Sequence, residues 1–372
     1  MDEMGLRTSA HPLLAAAPSA IILQPTSLCP LNCTYCYLPQ RHLNQQMTTD
    51  TAAAIAAAIP PHWSARGPVE IVWHGGEPLA VGRSRLTALM EPFEPLRADG
   101  RIRHVVQTAA TLIDRQWCEL FQRYGFAVGV SIDGPEPANR HRVDRRGRPA
   151  FDRAMTGIET LRRHDIPFTI LAVVSADSTN AGETLDFLAS TGCTRIGINI
   201  EAAEAANQHG HTPALEQARQ FWREAFTWSA EHPEVEIREI EWLLGFLGLD
   251  KPLRDADAGH DPLPTIGWNG EVVLLSPELL GVQEPRYADF VAGNVTTEPL
   301  PSILDRAAGQ PYVREFLASV QRCKETCEFF AWRQGAHAGN RYFEHGTFTA
   351  TETNHCQTSF QAPVLALHDL MI

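Results

Sequence analysis

No stretch of the chain reaches the ~18 consecutive apolar residues that a membrane span requires. A secretory signal is missing too: Asp2 and Glu3 stand where a basic start is expected, and His11, Pro12 and Pro18 interrupt the apolar patch that follows. There is no basic stripe. The 372 residues carry 31 Lys and Arg against 44 Asp and Glu, a formal charge of −13, which argues against nucleic acid as a main partner. With neither signal nor span, no membrane role is expected, and the cytoplasm is the expected compartment. Internal repeats and low-complexity tracts are absent. Cysteine is scarce outside two places: of eight in total, three stand at 29, 33 and 36 and three at 323, 327 and 356. Cysteines clustered in this way in a cytosolic protein point to metal binding rather than to disulfides. Cys118 and Cys193 lie in apolar patterns and read as buried structural thiols.

What is present is ordinary globular material, 44% hydrophobic and 20% charged, enough for one large α/β domain and a smaller one. From residue 20 to about 200, strands alternate with helices. The apolar pattern predicts strands at 20–23, 69–73, 102–107, 127–132, 168–174 and 195–200. Helices are predicted at 48–59, 84–96 (broken near Pro92), 114–124, 151–164 and 182–190. Six βαβ-type units with loops at each strand end predict a partial (β/α)6 TIM-like barrel, with its chemistry at the C-terminal strand ends. Beyond residue 200 the rhythm changes: a small polar loop over 202–211, helices at 213–230 and 236–247, and a linker rich in Asp, Gly and Pro at 250–264. Trp268-Asn269-Gly270-Glu271 is a hairpin signal. The expected organisation is an N-terminal extension (1–19), the barrel with its following helices (20–250) and a small Cys-containing module (251–372).

The chemistry concentrates in the run Cys29-Pro30-Leu31-Asn32-Cys33-Thr34-Tyr35-Cys36. A 4Fe–4S cube takes one thiolate per iron, so three cysteines on one tight loop leave one iron without a protein ligand. An open metal position marks a site that performs chemistry. The alternative is a zinc site, with His42 as the nearby fourth ligand. One βαβ unit later comes Trp73-His74-Gly75-Gly76-Glu77-Pro78. Its glycines allow close backbone approach, Glu77 offers an acceptor for an ammonium group, and Pro78 stiffens the loop.

The C-x3-C-x-Tyr-C run resembles the signature of radical S-adenosylmethionine (SAM) enzymes, and Gly75–Pro78 resembles their GGEP motif. Three more matches follow: Gln107-Thr108-Ala109, Ser131-Ile132-Asp133-Gly134-Pro135 and Arg142 within His141-Arg142-Val143. The resemblance implies a 4Fe–4S cluster on Cys29, Cys33 and Cys36, with Tyr35 packed beside the cofactor. It implies SAM contacts from Gly75, Gly76, Glu77, Pro78, Gln107, Ser131 and Arg142. The implied reaction is reductive cleavage of SAM to a 5′-deoxyadenosyl radical that takes hydrogen from a substrate C–H, fed by an external donor of flavodoxin or ferredoxin type. Glu201, at the end of the sixth strand, is the candidate catalytic base and Asp133 its competitor.

The segments Cys323-Lys324-Glu325-Thr326-Cys327, Gly339–Phe348 and Thr351–Cys356 resemble the SPASM module of peptide-modifying radical SAM enzymes. More narrowly, the chain resembles Grr-type maturases that form three-residue cyclophanes in ribosomally made precursor peptides. Matches such as Ser276-Pro277-Glu278-Leu279-Leu280-Gly281 extend this over residues 20–360. The pattern is depleted here. Arg333 stands where relatives carry a further cysteine, and the hairpin ends without one. Cys323, Cys327 and Cys356 are expected to hold an auxiliary Fe–S cluster, with a fourth ligand from His337, His345, His355 or the substrate; zinc, or no metal, is the alternative. With no extra domain before the first strand, leader-peptide recognition falls to the catalytic protein itself or a separate partner. The rival readings are another peptide or protein oxidation, such as sulfatase formylglycine formation or epimerisation, and a non-catalytic metal-binding peptide scaffold.

Overall fold

A computed structural model describes residues 11–65, 67–207, 210–254 and 259–372. Asp2 and Glu3, and parts of the expected 202–211 loop and 250–264 linker, lie outside them. Six parallel strands run in sequence order, each hydrogen-bonded to the next: β1 (Ala20–Leu23), β2 (Val69–Trp73), β3 (Ile102–Thr108), β4 (Ala127–Ser131), β5 (Phe168–Val174) and β6 (Arg195–Ile200). Two-residue β7 (Glu236–Ile237) extends the β6 edge in parallel. On the other edge, β8 (Thr265–Ile266) pairs parallel to β1. Antiparallel β9 (Glu271–Val273) and β10 (Gly293–Asn294) follow it. The expected hairpin is therefore β8–β9, turning at Gly270 with φ +84°, and it continues the barrel sheet.

The helices between the strands follow local signals. They are α1 (Thr49–Ala58), α2 (Arg83–Met90), α3 (Glu94–Ala98), α4 (Arg115–Tyr124), α5 (Phe151–Arg163) and α6 (Ala181–Ser190). Side chains of Thr48, Asp114 and Asn180 cap α1, α4 and α6 by accepting first-turn N–H groups. In α4, Trp117, Leu120, Phe121 and Tyr124 recur at helical spacing and are buried. Gly125, left-handed at φ 63°, ends the helix. The helix expected over 84–96 with a break near Pro92 is split there, because Pro92 and Pro95 lack the N–H groups a continuous helix needs; a 3-10 turn at Glu91–Phe93 separates α2 from α3.

A parallel sheet buried on both faces reads as a continuous apolar run. These strands instead alternate. Val69, Ile71 and Trp73 of β2, Ile102, His104, Val106 and Thr108 of β3, and Phe168, Ile170, Ala172 and Val174 of β5 are buried in the main core. Their alternates, including Gln107, Thr169 and Asn199, are more accessible. The second face is therefore the more accessible one.

The remaining helices are α7 (Leu215–Glu231), α8 (Arg238–Leu247), α9 (Lys251–Arg254), α10 (Leu300–Asp305), α11 (Pro311–Thr326), α12 (Phe330–Arg333), α13 (Ala338–His345), α14 (Asn354–Cys356) and α15 (Ala362–Met371). The C-terminal part is mainly helical and reaches both edges of the sheet. On the β8–β10 side, Tyr312 Oη accepts the Leu274 N–H at 3.0 Å. Tyr287, Phe290, Tyr312, Tyr342 and Phe348 pack there as one aromatic group. On the β6–β7 side, α15 lies along α7, where Asp369 pairs with Arg219 and Arg223. The indole of Trp222 donates to the Thr358 carbonyl at 3.0 Å. One hydrophobic core runs from Leu13 to Ala366, so residues 251–372 share it with the barrel. Residues 13–15 pack at His260. Cys118 is buried as expected, whereas Cys193 is only half-buried.

His104 sits fully buried in this core. Its Nδ1 accepts from Trp73 Nε1 at 3.1 Å, Phe126 stacks on it, and burial lowers its pKa to about 4. The native state refuses a proton that the unfolded protein takes near pH 6.5. Stability from this site is full above that pH and is lost as pH falls toward about 4, on the order of 3 kcal/mol. Denaturant midpoints measured between pH 7 and 4.5 should fall less steeply in His104→Leu than in the parent. At pH 7 that variant should be less stable by about 1–3 kcal/mol, because the Trp73 N–H loses its acceptor.

Candidate active site

The cysteine loop and the Gly-Gly-Glu-Pro loop are one backbone construction. Beyond the end of the β1–β2 ladder, the N–H groups of His74, Gly76 and Glu77 donate to the carbonyls of Leu23, Thr26 and Leu28 at 2.9, 3.3 and 2.8 Å. The approach is too close for side chains. A Cβ on Gly76 would fall 2.7 Å from the Ser27 carbonyl oxygen and closer still to that of Leu28. At Gly75, with φ +110°, it would strike Gln24. The far side of the cysteine loop is tied to the segment after β4: Asn32 N–H donates to Val143 O at 2.7 Å and Thr34 N–H to His141 O at 3.0 Å. Arg145 donates to the Cys29 carbonyl, so this member of the basic loop braces the site rather than facing solvent alone.

The three thiols gather in a small apolar group with Leu31, Ala109, Ala150 and Tyr35. Burial raises the pKa of each, that of Cys33 to about 11, and the neighbouring thiols add to the rise at Cys29 and Cys33 while the Arg142 charge opposes it at Cys33 and Cys36. Three soft donors that are costly to ionise alone suit a cationic iron–sulfur group, which stabilises thiolates. Among the described residues no three His, Cys, Asp or Glu side chains converge tightly enough for a single metal ion. His42 is exposed in a groove with Arg41 and Arg145. Both facts count against the zinc alternative.

Glu77 is 1% exposed. Its Oε1 accepts from the Thr108 hydroxyl at 2.8 Å and the Leu79 N–H at 3.1 Å, and its Oε2 from the Ala109 N–H at 2.9 Å. Burial raises its pKa and these donors oppose the rise. Glu77 thus clamps the end of β2 to the end of β3. Thr108 and the Ala109 backbone were missed as site residues, although they directly follow Gln107 in the motif. Gln107 Nε2 donates to Ser131 Oγ at 2.8 Å. Gly129 leaves the space between them, since a Cβ there would clash with the Gln107 carbonyl oxygen.

Tyr35, Asp133 and Arg142 form a buried triad. The Tyr35 hydroxyl donates to Asp133 Oδ2 at 2.5 Å and accepts from Arg142 Nη1 at 2.8 Å; Arg142 stands 3.7 Å from Asp133 Oδ1. That oxygen also accepts the Val173 N–H at 3.2 Å, and Asn139 Oδ1 accepts the Asp133 N–H. Both carboxylate oxygens of Asp133 are therefore engaged in positioning. Glu201 differs. Its Oε1 accepts the His211 N–H at 2.9 Å, while its buried Oε2 has no partner among the described residues. Burial raises its pKa, and the Asp133 charge contributes.

A second polar group adjoins the cysteine loop and escaped sequence reasoning, because its members come from five distant segments. Tyr37 Oη and His74 Nε2 lie 3.1 Å apart. Asn340 Nδ2 donates to Glu204 Oε1 at 2.7 Å. Glu278 lies within electrostatic reach of Tyr37, His74 and Glu204. The Ala206 N–H donates to the Tyr37 carbonyl at 3.0 Å, tying the loop after β6 to the cysteine loop.

Cys323, Cys327 and Cys356 are brought together elsewhere, around one small cavity that Arg333 also lines. The histidines expected as fourth ligands do not line it. His345 is exposed and faces the Glu352 carbonyl, His337 lies 3.9 Å from Glu278, and His355 faces Ser359. Spacing along the sequence brought them near; the helices carrying them turn their rings away.

Comparison with known proteins agrees with this geometry. Residues 23–176 match the Radical SAM superfamily. The chain is 32% identical over 356 residues to the uncharacterized protein sll1766 of Synechocystis sp. (strain ATCC 27184 / PCC 6803 / Kazusa), covering 92% of this chain and 89% of that one. It is 32% identical over 219 residues to the serine-type anaerobic sulfatase-maturating enzyme of Klebsiella aerogenes, a match that spans 55% of this chain and 53% of that enzyme. The fold resembles a solved structure of native anSMEcpe with bound AdoMet and Cp18Cys peptide, with a TM-score of 0.74 at 20% identity, over 95% of this chain and 97% of that one.

Two substitutions test the construction. Gly76→Ala should force the two loops apart and cut iron incorporation several-fold, measured as iron per protein after anaerobic reconstitution. Gly182→Ala, whose added Cβ meets nothing closer than 3.8 Å, should load normally. Tyr35→Phe removes the hydroxyl between Asp133 and Arg142. It should keep its iron and bind SAM at least tenfold more weakly by equilibrium dialysis, since two buried hydrogen bonds to charged groups are lost.

Proposed function

From the premise that the chain belongs to the radical SAM superfamily, we propose that this enzyme modifies a ribosomally made precursor peptide by joining two of its side chains through a C–C bond, a three-residue cyclophane. The observation that carries the catalytic part is the backbone union of the cysteine loop with Gly75–Pro78. It puts a three-thiolate donor set and a buried glycine-lined loop at the same end of the sheet. Cys29, Cys33 and Cys36 hold a 4Fe–4S cluster. Gly75, Gly76, Glu77, Pro78, Gln107, Ser131 and Arg142 surround SAM. When bound, these cofactors would supply a 5′-deoxyadenosyl radical that takes one hydrogen from a peptide C–H, and an iron–sulfur group would accept the one electron that leaves with the ring proton when the C–C bond forms.

The protein's own residues do the rest. Asp133 holds Tyr35 and Arg142 in place, so that a guanidinium is fixed beside the thiols. Glu201 takes the ring proton at its unpaired Oε2, and burial raises the proton affinity of that carboxyl. The more accessible face between β3 and β6 orients the peptide and excludes water. The similarity of fold to a protein that holds AdoMet and a peptide together supports a peptide substrate. An electron donor of flavodoxin or ferredoxin type serves the reaction. Among the described residues no helix is long and apolar enough to cross a membrane, and the proposal places the enzyme in the cytoplasm.

Sulfatase formylglycine formation is the second reading, favoured by the 32% identity to a sulfatase-maturating enzyme over about half its length.

Reconstituted protein with dithionite and SAM should release 5′-deoxyadenosine, and Cys33→Ala should abolish it. Co-expression with a candidate precursor containing aromatic residues should lower the peptide mass by two hydrogens per crosslink. Conversion of a sulfatase-derived Ser or Cys peptide to formylglycine, with the precursor unchanged, would establish the second reading. Glu201→Gln should keep 5′-deoxyadenosine release and lose the crosslink at least a hundredfold. In the parent, crosslinking should rise with pH through a group titrating above the ordinary carboxylate range, and this limb should be missing from Glu201→Gln.

A further inference from the structure

The C-terminal cysteine cavity contains a charge arrangement that a merely eroded site does not explain. Arg341 is 2% exposed. It donates from Nη2 to Cys323 Sγ at 3.5 Å and to the Gly335 carbonyl, while its Nη1 is buried without a partner. Arg333 lines the same cavity, lies flat on the Phe360 ring with Cζ 3.1 Å from its centroid, and buries an unpartnered Nε. Among the described residues neither guanidinium bonds to a carboxylate. Glu239, the acid that Arg333 senses, already accepts from Arg238 and from the Ile198 N–H. Two guanidinium groups with buried, unpartnered nitrogens and no carboxylate partner, beside three cysteines, would be a costly arrangement. The arrangement balances when the thiols are present as metal-bound thiolates.

The backbone agrees. Arg333 ends a short helix and is followed by a tight turn. Gln334, Gly335 and Ala336 have φ of 48°, 100° and 57°, and a Cβ on Gly335 would fall 2.7 Å from Val320. This turn points Arg333 at the cavity and returns the Gly335 carbonyl to Arg341.

We propose that Arg333 and Arg341 are the counter-cations of an iron–sulfur group bound by Cys323, Cys327 and Cys356, with Arg333 standing where the fourth thiolate is missing. The proposal rests on the reading that this triplet binds iron. Two properties follow. Fixed positive charge favours the more negative redox state, so the group has a higher potential than an all-thiolate one. The iron without a thiolate faces a guanidinium and accepts an anionic ligand.

The test uses the full-length protein with Cys29→Ala, Cys33→Ala and Cys36→Ala, so that the C-terminal triplet is the only cysteine cluster. After anaerobic reconstitution it should hold about four iron and matching sulfide. Zinc, or no iron, overturns the proposal at the level of the triplet, and leaves the first cluster untouched. In the loaded protein, Arg333→Gln and Arg341→Gln should each move the midpoint potential negative, and Arg333→Lys should move it less. An unchanged potential in both Gln variants overturns the counter-cation role while the cluster stands. If the Gln variants fail to load, loading by Arg333→Lys upholds a role for charge, and its failure shows a packing role and overturns the proposal. Cyanide should change the reduced-state EPR signal of the parent and leave that of Arg333→Cys, with its fourth thiolate, unaltered. Equal responses overturn the open position.

Discussion

The site depends on the continuation of a parallel strand ladder past the point where the strands end. Hydrogen bonds from His74, Gly76 and Glu77 to Leu23, Thr26 and Leu28 carry the register of β1 and β2 into two loops that would otherwise move independently. Loops are ordinarily the less ordered parts of a fold. Here they inherit the rigidity of the sheet, and the glycines are needed because the backbones nearly touch. Glu77 extends the same order sideways to β3, and the Asn32 and Thr34 contacts extend it to the segment after β4. Four strand ends are thereby locked around the three thiols.

Electrostatics adds a second level of order. Arg142 is the buried cation closest in effect to Cys33, and it is held by a tyrosine from the cysteine loop and an aspartate from the end of β4. Its position is set by both loops together. A shift of either loop would break hydrogen bonds to charged groups in a dry environment, where such losses are large. Glu201 shows the complementary principle: a carboxyl held by one oxygen and left unpaired at the other retains its capacity to exchange a proton.

Most of the barrel was legible because its signals are local. The apolar pattern marked Val69–Trp73, Phe168–Val174 and Arg195–Ile200 at their observed bounds, and the helices expected at 114–124 and 182–190 start within one residue of those observed. The cysteine and Gly-Gly-Glu-Pro motifs were legible for the same reason. Non-local pairings were not. Nothing in Thr265-Ile266 announces that it lies beside β1, and Glu236-Ile237 read as the start of a helix rather than an edge strand. The Glu77–Thr108 clamp joins residues 31 apart, and the polar group around Tyr37 and Glu204 joins five segments. Closeness in sequence does not give the direction of a ring on a helix, and His337, His345 and His355 stand near the second cysteine set without lining its cavity. That Arg333 lines that cavity was not legible either.

The ten-stranded sheet ends in a two-residue strand on each side, β7 and β10, and the C-terminal helices pack along both flanks. Exposed strand edges invite other proteins to add to the sheet. These edges offer too few free backbone groups for that. An extended peptide therefore gains little by lengthening the sheet, the recognition mode that many peptide-binding domains use. Any peptide held by this fold would have to be recognised elsewhere than at its strand edges.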